Sequence, residues 1–415
     1  MSAAAARRRK QLAAKAALLA SSNDDPITTQ MNNLLATTPD LTESIAYEAL
    51  QLAQSQVRKN VIHGHYNLAT ETYGYDVLCK LLERNKASVA TQLMTLLVQV
   101  LNETHTECND EWIVKIQNID KLNVAAIDTL KHENEGEYTR LMKLHAKFLK
   151  SVLAWSNSLG KVRFGPLQFH KLLADQLWTM SEQSNTNSSN TDKSSNSNDD
   201  ETEGNEDYSK VGLQSDAITH YALAEDITTI LSKLSTLSAP SKEETSQNHT
   251  CPPCIREQLL TRSILLLLSI ENIRDAHKLL SSYLSTIETR SIDELKTSYM
   301  SKTDNKAPSH PIFLSMLVEI CRKNAKTGPL FNWLLKSFNN ELQTMYKHEV
   351  CKAYVNNIGK VYFNILPPPS MMATIENMMN MMGGAGGMGG AGGMGGGINP
   401  AMMQAMMSQM GGMGM

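Results

Sequence analysis

Apolar residues return at spacings of three and four over most of residues 42–363, and no long stretch alternates with period two, so the pattern predicts amphipathic helices and no sheet. The clearest stretch is residues 153–178, LAWSNSLGKVRFGPLQFHKLLADQLW. One helix ends before Gly160, where a left-handed cap is expected, and Pro166 suits the start of the next. Leu167, His170, Leu173, Ala174, Leu177 and Trp178 then fall on one stripe. Such a stripe needs a covering neighbour, so the segment reads as a helical hairpin within a stack. Further helices are expected near 42–62, 66–84, 88–106, 111–119, 123–133, 137–158, 216–234, 255–269, 273–286, 311–324, 328–346 and 350–363. Short polar turns between them favour antiparallel neighbours, and repeated pairs of this kind stack into a solenoid. Because no exact repeat period is present, the expected fold is all-α, an irregular α-solenoid of TPR-like hairpins.

The polar positions divide the chain further. Residues 1–41 read as a mostly disordered basic leader whose pattern permits a short helix at 7–19, and 42–183 as the N-terminal half of the solenoid. Residues 184–209 are rich in Ser, Asn, Asp and Glu and nearly free of apolar side chains, which marks a disordered insert. The C-terminal half is expected over 210–369 and to stop at Pro367, Pro368 and Pro369. Residues 370–415 change character abruptly: 15 of the 23 methionines and 14 of the 23 glycines follow Ser370, and no charge follows Glu376. Glycine at that density disfavours helix by roughly 1 kcal/mol per residue, so the segment reads as a flexible tail with short Met-faced helices at its flanks.

Composition narrows the function. The net charge is −3 with no plainly basic face beyond the N-terminus, which argues against nucleic acid as a partner. The longest apolar runs fall short of the roughly 18 residues needed to cross a bilayer. The acid-free N-terminus would suit a transit peptide, but a frayed basic helix explains it more simply. Six cysteines are too few for a disulfide framework at this length, in keeping with a reducing compartment. Cys251 and Cys254 form a lone CPPC without the second ligand pair that zinc requires, so they read as loop thiols.

Catalytic chemistry is not visible. The chain contains no GxSxG, HExxH, P-loop, GxGxxG or paired-carboxylate motif, and no cofactor or metal is implied. His63 and His65 flank Gly64 and read as turn residues, while His170 reads as a core or capping hydrogen-bonding residue. Trp155, Trp178, Trp333, Tyr354 and Phe363 fall at helical spacing from aliphatic neighbours and are expected in the core. Function is therefore expected on surfaces, and a non-enzymatic scaffold is the general reading.

A family resemblance makes that reading more specific. Ala154-Trp155-Ser156, Gly165-Pro166, His170 and residues 174–178 resemble the "WS…G.P.LH…A..LW" core of the Golgi-to-ER traffic protein 4 family. Similar runs follow in family order at Tyr47-Glu48-Ala49, 93–101, 262–279, Ile358-Gly359 and Pro367-Pro368, so the resemblance spans about residues 45–368. It implies a cytosolic helical adaptor in the delivery of tail-anchored membrane proteins to the ER. The N-terminal half would dock a homodimeric targeting ATPase, with Tyr47, Glu48, Gln51, Lys59 and Tyr66 at matching positions. The C-terminal half would hold a ubiquitin-like partner protein, in a region containing Phe313, Leu317, Phe331, Leu334, Tyr354 and Phe363. Through that partner the resemblance implies a co-chaperone and, in animals, a Bag-domain scaffold. The tail segment INPAMMQAMMSQM resembles Met-rich repeats by which co-chaperones of this pathway hold transmembrane segments, making Met402, Met403, Met406 and Met407 candidate client contacts. This chain has Gln92 and Gln99 where the family carries acidic residues, and Leu50 and Gln54 where it tends to carry His and Arg. Fewer rim charges imply weaker steering of the ATPase. The alternative is a generic helical-repeat scaffold subunit of another complex.

Overall fold

The computed structural model describes residues 26–36, 41–183, 210–237, 255–288, 309–323, 325–346 and 349–365, and no strand occurs among the described residues. The first run of helices is α1 (Pro26–Ala36), α2 (Glu43–Ile62), α3 (Val77–Glu83), α4 (Ala87–Glu103), α5 (Asp110–Asp128), α6 (Glu135–Leu159) and α7 (Leu167–Gln183). The second is α8 (Lys210–Leu223), α9 (Ile227–Thr236), α10 (Ile255–Ser269), α11 (Ile273–Tyr283), α12 (Ser309–Arg322), α13 (Gly328–Ser337), α14 (Asn339–Tyr346) and α15 (Glu349–Phe363). A π-helical stretch, Leu68–Asp76, runs directly into α3. Gly74 lies within it because an added Cβ would press on Leu97 Cδ1 at 2.9 Å and on the Ala69 carbonyl oxygen at 3.0 Å.

Side-chain caps fix where several helices begin. Asn109, Asn134, Asp226 and Asn272 each accept a hydrogen bond from the backbone N–H three residues on, at the starts of α5, α6, α9 and α11. Most helices touch their successors and several also touch the helix two places on, as α2 with α4, α3 with α5, α4 with α6, α5 with α7, α8 with α10 and α9 with α11. This nearest-neighbour pattern defines a solenoid, because successive hairpins cover one another's amphipathic stripes. Near its end α15 packs back along α10, the helix whose run Leu265 to Leu268 is buried on every side. The first compact unit of the chain ends at Ile365.

One edge of the stack is tied from turn to turn. Trp155 Nε1 donates to the Thr106 carbonyl at 3.0 Å, and the Cys108 N–H to the Leu159 carbonyl, joining the turn after α4 to the turn after α6. Lys171 at the start of α7 pairs with Asp226 at 2.5 Å, and Asn272 donates to Glu225 at 3.3 Å. Asn357 of α15 completes the series by donating to the Ser269 carbonyl at 2.6 Å.

Several boundaries differ from the sequence reading. The part of the leader at Pro26–Ala36 is helix and belongs to the body, where Met31 and Leu35 are buried and Thr28 hydrogen-bonds to Tyr73 at 3.1 Å. The two helices expected near 111–119 and 123–133 are one, α5, because the polar residues between them are used: Asp120 lies 3.0 Å from the buried His145. Conversely, the single helix expected over 216–234 is two. Glu225 takes a left-handed conformation (φ 56) and Asp226 caps a new start, so α8 ends and α9 begins. The helix over 328–346 breaks at Phe338, whose buried ring turns inward. Gly160 is extended (φ −100, ψ 167) and not left-handed; a side chain there would collide with the Ser156 carbonyl oxygen. The left-handed glycine of this turn is Gly165, at φ +85. The short leader helix expected at 7–19, the insert at 184–209, Cys251, Cys254 and the tail lie outside the described residues.

Candidate interaction surfaces

The described residues hold no group of three or more His, Cys, Asp or Glu side chains placed to bind a metal. Their thiols are buried and poor nucleophiles: burial pushes Cys79 and Cys108 up to about 11 and Cys321 to about 12. His63 and His65 are exposed, with ring centroids 6.5 Å apart about the turn at Gly64. No described helix is long and apolar enough to cross a membrane.

His170 is instead part of the core joint between α7 and α8. Its Nε2 lies 2.6 Å from the Phe164 carbonyl oxygen and its Nδ1 2.9 Å from Nδ1 of His220. A carbonyl can only accept, so Nε2 of His170 carries the proton, its Nδ1 accepts, and His220 donates from Nδ1. Burial lowers both imidazoles, His220 to about 3, with the fields of His170, Lys150 and Arg262 adding to the effect there. Beside them Tyr221 donates to Asp175 at 2.6 Å.

On the N-terminal helices the five residues expected to dock the ATPase are all exposed. Tyr47 and Tyr66 are 40% and 45% accessible, and Glu48, Gln51 and Lys59 share the outer side of α2. Arg140 of α6 reaches toward this region: it pairs with Glu137 at 2.6 Å, donates to Ser88 at 3.0 Å, and feels the field of Tyr47. A groove of about 230 Å³ lies between α4 and α6, with Val98, Leu144 and Phe148 as its apolar wall and Gln99, Asn102 and Lys147 at its rim. Of the departures from the family pattern, Gln92 and Gln99 are exposed, Gln99 donating to Glu103 at 2.7 Å, while Leu50 is buried.

The C-terminal residues fare differently. Phe313, Leu317, Phe331, Leu334 and Phe363 are all buried, and Phe331 stacks on Phe363 with centroids 4.6 Å apart. Tyr354 is half-buried. These side chains hold the end of the solenoid together, and burial removes at least the first five from any docking surface. Among the described residues from 325 on, the large apolar side chains left exposed are Leu330 (53%), Trp333 (56%) and Val350 (43%). Trp333 thus stands outside the core in which the sequence reading placed it. The missed signal is that α13 carries apolar residues on two faces: Phe331 and Leu334 point inward, and no described helix covers Leu330 and Trp333. Met402, Met403, Met406 and Met407 lie outside the described residues.

Comparison with known proteins adds to this picture. The family model described as "Golgi to ER traffic protein 4" matches residues 64–384. "Protein GET4" of Arabidopsis thaliana is 22% identical over 356 residues, covering 82% of this chain and 93% of that protein. The crystal structure of C. therm. Get4 aligns with a TM-score of 0.50 at 17% identity, covering 88% of this chain and 96% of the other, a likeness of fold. With the family model spanning most of the chain in family order, and the all-helical stack beneath it, the chain belongs to the Golgi to ER traffic protein 4 family.

Proposed function

We propose that the chain is a non-enzymatic cytosolic adaptor in the insertion of tail-anchored proteins into the ER membrane. It bridges a targeting ATPase, docked by the N-terminal half (42–183), and a ubiquitin-like protein held by the C-terminal half (210–369). A co-chaperone or Bag-domain scaffold joins through that second partner. The observation that carries the reading is the family match along residues 64–384, coupled with exposed aromatic side chains on the first hairpin. Buried high-pKa thiols and the closed His170–His220 pair support a role without catalysis. Affinity capture from cytosol with the full chain tests it: recovery of both the ATPase and the ubiquitin-like protein is expected. A Tyr47→Ala/Tyr66→Ala double variant should lose at least tenfold in ATPase affinity and keep the other partner. Recovery of neither partner by the wild type would favour the general scaffold reading. For the tail, photo-crosslinking from Met403 or Met407 should favour a tail-anchored client over a soluble control helix; equal crosslinking rejects client contact.

A further inference from the structure

Positive charge runs up one side of α6. Arg140, Lys143, Lys147 and Lys150 recur at helical spacing, so they share one stripe about 15 Å long. The first three are exposed and Lys150 is half-buried. Neighbouring helices fix both ends of the stripe: Arg140 donates to Ser88 of α4 at 3.0 Å, and Lys150 lies close enough to His220 of α8 to act on its ring. Between them Lys147 stands at the rim of the groove between α4 and α6. Arg140 is paired with Glu137, but α6 carries no acidic residue from Lys143 to Leu159. The α4 wall of the groove is neutral, supplying Thr95, Val98, Gln99 and Asn102. Like charges at this spacing repel along a helix, so negative charge laid over the stripe is favoured.

The chain carries such charge beside it. Residues 184–209 contain seven acidic side chains against the single Lys193, and six of the seven fall within 199–207. Both ends of this segment join the fold near the start of α6. Gln183, the last residue of α7, donates to Tyr138 of α6 at 2.5 Å. α8 runs antiparallel to α7, as the His170–His220, Asp175–Tyr221 and Lys171–Asp226 contacts require, so Lys210 starts level with the end of α7. The acidic run lies close before Lys210 in sequence, and at about 3.3 Å per extended residue its far end reaches roughly 36 Å, more than the length of the stripe.

We propose that the α6 stripe is the docking strip for the acidic run 199–207 of the same chain, so that an acidic segment of another protein reaches the stripe only by displacing it. The proposal does not depend on which partners the adaptor engages. Exposed ion pairs add little to stability, so such docking leaves the fold no less stable when the insert is removed.

The test uses the full chain. A carbodiimide joins a carboxylate to an amine held against it, forming an amide with loss of water. Peptide mapping should find 199–207 joined to Lys143, Lys147 or Lys150 roughly fivefold or more above the exposed Lys121 and Lys131 of the preceding helix and turn, and the excess should vanish in about 1 M salt. Mixing isotope-labelled and unlabelled chains separates links within a chain from links between copies. In a second arm, replacing the six acids of 199–207 by Asn or Gln should raise the affinity for a separate peptide of residues 196–209 roughly tenfold or more, because the tethered run no longer competes. Adding Lys147→Glu and Lys150→Glu to that variant should abolish the gain, and thermal midpoints matching the wild type will show that the variants fold. Links spread evenly over exposed lysines, links found only between copies, or a peptide affinity unchanged by the acid replacements would each overturn the proposal.

Discussion

Acid should loosen the solenoid at one identifiable joint, the His170–His220 pair between α7 and α8. Folding keeps both rings neutral, because each Nδ1 faces the other at 2.9 Å and only one can carry a proton without repulsion. The ordinary histidine value is near 6.5 and folding lowers His220 to about 3. The unfolded chain therefore takes up a proton that the folded chain refuses. The contribution is fully present above pH 6.5 and is lost as pH falls from there toward 3. At about 1.4 kcal/mol per unit the ceiling is near 5 kcal/mol, and coupled titration with His170 and partial access to solvent bring the expected effect to about 2 kcal/mol. His220→Asn is the informative variant, since its amide can still donate to His170 Nδ1 but does not titrate. Urea denaturation of both proteins from pH 7.5 to 4.5 should give similar stabilities at neutral pH. The wild type should then lose about 2 kcal/mol more than the variant by pH 4.5. Other titrating groups, including the buried His310 held near 4, are common to both chains and cancel in the difference. Parallel pH profiles for the two proteins would refute the assignment of this joint as acid-sensitive.

Two further outcomes follow from the packing. Trp155→Ala should lower stability by about 3–5 kcal/mol in urea denaturation, because it empties a fully buried site and leaves the Thr106 carbonyl without its donor; a loss below about 1 kcal/mol would contradict the core assignment. Replacing residues 184–209 with a Gly/Ser link of about six residues should leave the thermal midpoint within roughly 5 °C, since the segment contains almost no apolar residue to bury; a larger fall would show that it packs.

The helical class and most of the helices were legible because their stripes are long. α10 begins at Ile255 and ends at Ser269 as its apolar run implies, and the α6–α7 hairpin could be placed from Trp155, Pro166 and Trp178. The misses share a cause, which is that tertiary contacts reassign polar or isolated residues. α1 has few apolar positions, yet Met31 and Leu35 suffice once α2 is beside them. Asp120 looked like a turn residue until His145 was set against it, and Ala224-Glu225-Asp226 looked like helix although Asp226 is a capping residue. For surfaces the limit is stricter. Periodicity tells which residues share a face but not whether a neighbour covers it, so the sequence reading puts Phe313 in a partner-binding region and Trp333 in the core, whereas the first is 1% accessible and the second 56%.

The joint between α7 and α8 has a consequence for the chain as a covalent object. Its two helices are held by the imidazole pair, by Tyr221 on Asp175 and, through the following turn, by Lys171 on Asp226, all of them contacts between residues before 184 and residues after 209. The peptide link between residues 184 and 209 is thus not what keeps the two halves in register. Cleavage there should yield two fragments that remain one particle in solution and separate only on denaturation. The same property would let the halves be expressed as separate polypeptides that find each other and assemble, with the acid sensitivity of the histidine pair setting the conditions under which they part.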